Sequence, residues 1–232
     1  MTTRGSTRRR PRIVGVIASR ADLDRALRMR RPPDLFELRL DCLAGVADHL
    51  QNTLPKLRAP LIITVRHPHE GGARKLSLRQ RRDLLTRFLN HADYLDVELR
   101  SASELRGLLA IAETKKIRRI ISFHNFKSTP SAPLLGVKAR QARAQRADVF
   151  KVATRTDTPM DLGRLLDFMT SRRLDIPLAV MGIGKLGAIS RVLLARAGSV
   201  LIYASLCTTV TGGQLSVEQL RALGIGSTGK RQ

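Results

Sequence analysis

A single lysine stands inside an apolar stretch of the chain, Phe150-Lys151-Val152. A lysine within a strand is disfavoured, and an ammonium group removed from water tends to lose its proton. The neutral amine is a nucleophile that attacks carbonyl groups and forms a Schiff base. His124 stands in the preceding apolar stretch, and an imidazole exchanges protons near neutral pH. The two residues together predict covalent chemistry on a carbonyl compound, with the histidine as proton shuttle.

Three arginines, Arg39, Arg66 and Arg191, are expected to face the same site. We expect their positive charges to surround the lysine and to favour its uncharged form. A guanidinium also presents a planar fork of hydrogen-bond donors that fits carboxylates and other anions. The three arginines therefore predict an anionic, oxygen-rich substrate.

Short apolar stretches alternate with longer amphipathic stretches along the chain. The predicted strands cover residues 13–18, 34–40, 61–66, 94–99, 118–123, 148–153, 177–181 and 199–204. Strands that alternate with helices form a parallel sheet of βαβ units. Eight of them predict an α/β fold of one domain, an eight-stranded parallel (β/α)8 TIM barrel near the lower size limit of that fold. A doubly wound open sheet is the alternative.

Side chains alternate between the two faces of each predicted strand. In five strands one face is apolar, and the other turns polar toward the C-terminal end of the strand. Because helices cover the apolar face, the polar side chains are predicted to point into the barrel near its C-terminal mouth, where barrel enzymes place their active sites. These side chains are Glu37, Arg39, Arg66, Asp96, Glu98, His124 and Lys151. Core ion pairs explain any single pair of them, but burying the whole set without a function is costly.

The composition excludes several classes of protein. The 232 residues carry 42 Lys and Arg against 19 Asp and Glu, a formal net charge of +23. Hydrophobic residues make up 43% of the chain, too many for a disordered basic protein, and no apolar run is long enough to span a membrane. Two cysteines, Cys42 and Cys207, cannot form a disulfide framework. A cytoplasmic protein is expected, and its charge predicts non-specific binding of polyanions.

The predicted organisation has three parts: a basic disordered arm at residues 1–12, a catalytic barrel at 13–223 and a frayed tail at 224–232. The arm holds a dense basic run between Arg4 and Arg12, with no acidic residue before Asp22. No internal repeat or long linker divides the barrel.

A set of short motifs resembles those of the type I 3-dehydroquinate dehydratase family. They occur in one order from about residue 13 to 222: Phe36-Glu37-Leu38-Arg39, Thr64-Val65-Arg66 with Glu70-Gly71-Gly72, Asp96-Val97-Glu98-Leu99, Ser122-Phe123-His124-Asn125-Phe126, Phe150-Lys151-Val152-Ala153, Met181-Gly182 with Gly187-Ala188-Ile189-Ser190-Arg191, and Gly212-Gly213-Gln214-Leu215-Ser216. Each motif is weak alone, and the combination is specific.

The resemblance implies a carbon–oxygen hydro-lyase of the shikimate pathway, which leads to chorismate and the aromatic amino acids. Lys151 would form an imine with the C3 ketone of 3-dehydroquinate. His124 would remove the C2 proton and deliver it to the departing C1 hydroxyl, and Glu70 would orient His124. Arg191 would bind the substrate carboxylate. The remaining substrate contacts implied are Glu37, Arg39, Arg66, Thr211 and Gln214.

The resemblance also implies that the products are 3-dehydroshikimate and water, with no metal or organic cofactor. A homodimer is expected because members of the family often pair. The last loop departs from the family pattern Ser-Ala-Pro-Gly-Gln, since Val210-Thr211-Gly212-Gly213-Gln214 stands there. Val210 replaces the serine that usually contacts substrate, so Thr211 or Thr209 is left to supply the hydroxyl.

Other motifs in the sequence suggest alternative functions. Residues 182–187 match the dinucleotide fingerprint G-x-G-x-x-G, but no acidic residue lies between Asp175 and Glu218, where the fingerprint requires one. A flexible loop that delivers Arg191 explains the glycines better. A metal site at His67 and His69 lacks further ligands. The alternatives to the dehydratase are another Schiff-base barrel lyase, such as an aldolase, and a basic nucleic-acid-binding protein on an inactive barrel.

Overall fold

Parallel β-strands form one sheet that curves into a nearly closed barrel. The computed structural model describes residues 10–171, 174–207 and 212–226. Its strands are β1 (Arg12–Ile17), β2 (Leu35–Arg39), β3 (Leu61–Thr64), β4 (Tyr94–Glu98), β5 (Arg118–Asn125), β6 (Val149–Arg155), β7 (Leu178–Ile183) and β8 (Leu201–Ser205). The order in the sheet is β7-β6-β5-β4-β3-β2-β1-β8.

The two ends of the sheet approach each other at the seam between β7 and β8. The N–H of Val200, just before β8, donates to the carbonyl of Leu178 in β7 at 2.8 Å. The predicted (β/α)8 barrel is confirmed. The doubly wound sheet is wrong, because the strands follow one another in chain order and β8 returns to pair with β1.

Helices connect the strands and cover the outside of the barrel. They are α1 (Arg20–Arg28), α2 (Leu40–Leu43), α3 (Ala47–Thr53), α4 (Leu78–Phe88), α5 (Arg106–Thr114), α6 (Ala132–Ala144), α7 (Pro159–Thr170), α8 (Gly187–Ala197) and α9 (Val217–Ala222). Ser77, Thr158 and Ser216 begin α4, α7 and α9 with capping boxes. These caps satisfy backbone N–H groups at the first turn, so each of these helices begins at a defined residue.

Two apolar layers lie on opposite faces of the sheet. The layer between strands and helices includes Phe36, Leu38, Ile63, Val97, Phe150 and Val152. The layer inside the barrel includes Leu35, Ile62, Ile120, Val149, Leu201 and Tyr203. Nearer the C-terminal ends of the strands the inward positions hold Glu37, Asp96 and Lys151, which are also buried. The division of faces is the one that the alternation predicts.

The ends of the described chain pack against the barrel. β1 begins at Arg12, and the N–H of Ile13 donates to Asp34 Oδ2 at 2.8 Å. Ile225 is buried in the outer apolar layer. The rest of the predicted arm and tail, residues 1–9 and 227–232, lies outside the described residues. Within the described ranges, no helix is long and apolar enough to cross a membrane.

Candidate active site

A cavity of about 260 Å³ opens at the C-terminal ends of the strands. Its lining residues are Val16, Glu37, Arg39, Arg66, Glu70, Gly71, His124, Phe126, Lys151, Ala153, Met181, Ile183, Arg191, Tyr203 and Gln214. The cavity therefore brings together every predicted catalytic and substrate-binding residue that the structure describes, and Asp96 and Glu98, also predicted to point inward, are buried against Arg66. Thr211, with Thr209 and Val210, lies outside the described residues.

Lys151 lies within β6 and is buried. Its Nζ donates to Asp96 Oδ2 at 3.0 Å and to Glu37 Oε1 at 3.2 Å. The same nitrogen lies 3.7 Å from the ring centroid of Tyr203, a cation–π contact. The three expected arginines line the same cavity as Lys151, but the groups in direct contact with its amine are two carboxylates and an aromatic ring. The inward positions of β2 and β4 place carboxylates next to it, and the nearby guanidinium of Arg66 binds these carboxylates from another side.

Arg66 follows β3 and forms the centre of a buried ion-pair cluster. It donates to both oxygens of Asp96 at 3.0 Å and to Glu98 Oε1 at 2.9 Å. Burial alone would lower the pKa of Arg66, but Asp96 and Glu98 hold it well above its ordinary value. Burial alone would also raise the pKa of Asp96, and the charges of Arg66 and Lys151 bring it below its ordinary value. The cluster therefore keeps Asp96 ionised and in place beside Lys151.

Two more arginines extend the network of buried charges. Arg81 on α4 donates to the other carboxylate oxygen of Glu98. Arg39 donates through Nε and Nη2 to the two oxygens of Asp41 at 2.9 and 2.7 Å, and Nη2 also reaches the carbonyl of Gly71 at 3.2 Å. Such two-point pairing fixes the plane of the guanidinium. Nη1 of Arg39 is the nitrogen that these contacts do not engage.

His124 and Glu70 form a hydrogen-bonded pair on the cavity wall. Nδ1 of His124 lies 3.1 Å from Glu70 Oε2, and the backbone N–H of His124 donates to the same oxygen at 2.9 Å. Glu70 ends the short 3-10 turn Pro68–Glu70 after β3. The next residue, Gly71, has a φ of 86°, and a Cβ there would lie 2.6 Å from the ring of Phe126. Glycine is required at this position if the turn is to place Glu70 against β5.

The surroundings of this pair set its protonation. Burial lowers the pKa of His124 well below its ordinary value, and the charges of Arg66 and Lys151 lower it further. Burial raises the pKa of Glu70 to about 7, and the charge of Glu98 adds to this effect. The imidazole is therefore neutral near neutral pH. When Glu70 is ionised, Nδ1–H donates to it, and Nε2 keeps a lone pair that can accept a proton.

Arg191 on α8 closes the opposite side of the cavity and is 2% exposed. Its Nη1 donates to the carbonyls of Gly182, Gly187 and Gly213 at 2.9, 2.9 and 2.8 Å. Burial lowers the pKa of Arg191 to about 10. Among the described residues, Nε has no hydrogen-bond partner and no carboxylate balances the charge. This side of the cavity is therefore suited to an anion.

The glycine-rich run at 182–187 connects β7 to the helix that carries Arg191. A Cβ on Gly213 would lie 2.6 Å from Cα of Gly187, and Gly213 has a φ of 76°. The glycines thus let this loop touch the loop after β8. Gln214, the next residue in that second loop, lines the cavity and is half-buried.

Two residues of the site are absent from the sequence prediction. Asp41 anchors Arg39, and Tyr203 lies against Lys151. Asp41 lies in α2, past the end of β2, so the alternation of the strand gives no signal for it. Tyr203 lies on the inward face of β8 with Leu201. In the sequence, an aromatic residue at such a position cannot be distinguished from a residue of the hydrophobic core.

The family model described as type I 3-dehydroquinase matches residues 15–224. The chain belongs to the type I 3-dehydroquinase family. The predicted family is confirmed, and so is the predicted enzyme class, a 3-dehydroquinate dehydratase. The matched range contains every described dehydroquinase motif residue that lines the cavity, from Glu37 to Gln214.

Individual proteins agree with the family match. The 3-dehydroquinate dehydratase of Geobacillus sp. (strain WCH70) is 32% identical over 204 residues, which cover 83% of this chain and 79% of the relative. The crystal structure of 3-dehydroquinate dehydratase from Geobacillus kaustophilus HTA426 has a TM-score of 0.83 and 27% identity, covering 92% of this chain and 89% of that one. Deoxyribose phosphate aldolase from Aeropyrum pernix, at a TM-score of 0.56 and 17% identity over 83% and 85% of the chains, shares the barrel fold alone.

Proposed function

We propose that this chain dehydrates 3-dehydroquinate to 3-dehydroshikimate through a Schiff base on Lys151. One observation carries the proposal: a single cavity holds the buried amine, the neutral imidazole of His124 and the uncompensated charge of Arg191. Membership in the family supports the substrate and the overall reaction. The contacts of each side chain support the assignment of the steps.

Lys151 supplies the nucleophile. Once deprotonated, Nζ attacks the C3 ketone, and the resulting carbinolamine loses water to give an imine. Glu37 and Asp96, which accept hydrogen bonds from Nζ, hold the nitrogen in place. They then lie beside the positive charge of the protonated imine, which they stabilise. The protonated imine withdraws electrons and makes the neighbouring C2 proton more acidic.

His124 moves the proton. Nε2 accepts the C2 proton while the electrons of the C–H bond pass to the imine nitrogen, which gives an enamine. The enamine expels the C1 hydroxyl, and the imidazolium protonates it so that it leaves as water. Hydrolysis of the product imine restores the amine of Lys151. The water used there replaces the water lost on imine formation, so the net reaction releases one water.

Glu70 acts as a positioning residue for His124. Because Oε2 binds both the backbone N–H and Nδ1 of His124, it fixes the ring in the tautomer that leaves Nε2 free to accept a proton. The ionised carboxylate also stabilises the imidazolium that forms in the transition state.

The opposite side of the cavity binds the substrate. Arg191 receives the carboxylate, which supplies the negative charge that this arginine lacks among its described neighbours. Gln214 closes over the substrate from the last loop, and Thr211 or Thr209 supplies the hydroxyl that Val210 cannot. Arg39 and Glu37 contact the ring hydroxyls, Arg39 through its unengaged Nη1. Arg66 holds Asp96 beside Lys151, since its Nη1 and Nη2 both donate to the carboxylate of Asp96.

Covalent trapping tests the proposal. Borohydride added to the protein with 3-dehydroquinate should reduce the imine and add the ligand mass to the peptide that contains Lys151. Lys151→Ala should lose this adduct, and kcat, followed by the absorbance of the enone product, should fall by about 10⁴-fold or more. Lys115→Ala removes an exposed lysine just after α5 and should retain both signals.

Other outcomes separate the alternatives. Enone formation without any trapped adduct would leave dehydration in place and reject the imine. Trapping with other oxo compounds but not with 3-dehydroquinate would favour an aldolase-type lyase. A folded protein that gives neither signal with 3-dehydroquinate would reject the proposed reaction.

The oligomeric state, the location in the cell and the order of the two chain ends are also predictions. A homodimer is tested by light scattering of the purified chain, and a cytoplasmic location by cell fractionation. Limited proteolysis tests the disordered arm at residues 1–12 and the frayed tail at 224–232.

A further inference from the structure

A groove of about 490 Å³ on the outer surface of the barrel is lined mainly by arginines. Helices α1 and α9 and the segment that joins α1 to β2 form its walls, and we call it the α1–α9 groove. Its lining residues are Arg25, Arg28, Met29, Arg30, Arg31, Cys207, Glu218 and Arg221. The groove shares no lining residue with the catalytic cavity, so it is a separate surface.

Most of the positive charge in this groove is uncompensated by the described residues. Among the lining residues, Glu218 is the only carboxylate, and it pairs with Arg25 at 2.8 Å. Arg221 donates to the carbonyls of Arg31 and Pro32 at 3.0 and 2.6 Å, which satisfies its hydrogen bonds but not its charge. Five arginines against one glutamate leave a lining charge of +4. Like charges held this close repel one another unless an anion enters.

Three arginines of the groove point to its ligand most directly. Arg28, Arg30 and Arg31 are exposed, and the structure gives their guanidinium groups no carboxylate partner among the described residues. Exposed guanidiniums bind phosphate oxygens through two parallel N–H groups. The guanidinium of Arg221 is already held in place by the carbonyls of Arg31 and Pro32. Less side-chain entropy is therefore lost when this group binds an anion.

We propose that the α1–α9 groove binds the phosphate backbone of double-stranded nucleic acid. The charge in the lining exceeds what one small anion needs, so a chain of phosphates fits it better. Binding of single strands depends on exposed aromatic rings on which bases stack, but none of the residues that line the groove is aromatic. Backbone binding of a duplex needs no such ring and carries no sequence preference.

The test compares two variants that lose the same charge. Arg28, Arg30 and Arg31 are changed to Gln in one variant, and Arg106, Lys115 and Arg140, exposed residues of the α5–α6 side, are changed to Gln in the other. Fluorescence anisotropy of a labelled 20-base-pair duplex is measured across a salt series. The full-length chain should bind at ~150 mM salt, and the groove variant should bind at least about tenfold more weakly, with a salt slope lower by roughly 2 to 3. The α5–α6 variant should bind like the wild type.

Several results would overturn the proposal. Equal weakening in both variants would show that diffuse surface charge binds the duplex, and absence of wild-type binding at ~150 mM salt would show that no site exists. Displacement of the duplex by inorganic phosphate at equal phosphate concentration would indicate a small-anion site. Stronger binding to vesicles containing anionic lipid than to the duplex would indicate a membrane surface. Both variants should keep the turnover of 3-dehydroquinate, so a failure here is distinct from a failure of the proposed reaction.

Discussion

The two sides of the catalytic cavity hold their buried cations in different ways. On the side formed by β2 to β6, Lys151 and Arg66 share Asp96, and each of them has at least one further carboxylate within hydrogen-bond distance. On the side formed by β7, β8 and α8, Arg191 binds backbone carbonyls, and the hydroxyl of Tyr203 is buried without a partner among the described residues. The first side is electrostatically complete by itself, whereas the second holds a positive charge that no described carboxylate balances.

This difference separates the residues that hold Lys151 in place from the residue that is proposed to recognise the substrate. A buried ion costs several kcal/mol unless it is paired and hydrogen-bonded. On the complete side the pairs fix the nucleophile and its neighbours before substrate arrives, so little reorganisation is needed during the reaction. On the side of Arg191 the unpaired charge would be relieved by the carboxylate of the proposed substrate. The same residue type, arginine, therefore pairs with buried carboxylates at position 66 and is proposed to select a ligand at position 191.

The largest expected effect that tests this comparison is on stability. Arg66→Met leaves Asp96 and Glu98 buried without their shared cation, and breaking such a buried network should lower the free energy of unfolding by about 3–5 kcal/mol. Arg191→Met removes a cation that donates to backbone carbonyls but has no carboxylate partner among the described residues, so its cost should be smaller, roughly 1–3 kcal/mol. Urea unfolding followed by circular dichroism measures both values.

If Arg66→Met does not fold, a second variant at position 66 still allows its stability to be compared with that of Arg191→Met. Arg66→Lys retains the charge but loses the two-point contact with Asp96, so we expect a folded protein with an intermediate loss of stability. Equal destabilisation by the substitutions at positions 66 and 191 would contradict the distinction between the two sides.

The fold was predictable because two local signals agree along the chain. Apolar stretches with alternating faces located β1 to β8 within a few residues of their observed bounds. Those faces also showed which side chains point inward, and the inward residues of parallel strands necessarily meet at one mouth of a barrel. Residues as distant in sequence as Glu37 and Lys151 could therefore be placed in one cavity from their positions alone.

The partners of each inward residue were less predictable. The alternation within a strand shows the face on which Lys151 lies, but not which charges of the other strands come nearest to it. That choice depends on the stagger of strands across the barrel, which placed Glu37 and Asp96 beside the amine and Arg66 behind them. The position of Asp41 depends on the turn into α2, beyond the end of the strand pattern.

The charge of Arg191 can also be tested by enzyme kinetics. Arg191→Gln should raise KM by roughly 10- to 100-fold and change kcat much less, because it removes binding to a carboxylate that takes no part in the bonds that break. Arg196→Gln, on the same helix and with its guanidinium on the carbonyl of Leu223, is the matched control and should keep KM.

Binding of inhibitors tests whether Arg191 recognises the carboxylate itself. A ring analogue without the carboxylate should bind wild type and Arg191→Gln with similar affinity, whereas an analogue with the carboxylate should lose affinity for the variant. If both analogues lose affinity equally, Arg191 shapes the cavity instead of recognising the anion.

The smallest expected effect concerns the pH dependence of the His124–Glu70 pair. Glu70 must be ionised to accept Nδ1–H of His124, and its pKa is raised to about 7, so kcat/KM should fall as the pH drops below about 7.

Nε of Arg100 lies 3.8 Å from Glu70 Oε1, and the side chain of Arg100 is about half-exposed. Because its positive charge favours the carboxylate, Arg100→Gln should raise the pKa of Glu70 and move the acidic limb to higher pH by a fraction of a unit. Arg100→Lys should restore the wild-type profile, and Arg106→Gln, an exposed arginine at the start of α5, should leave it unchanged. An acidic limb that stays in place or moves to lower pH in Arg100→Gln would show that Glu70 does not control it.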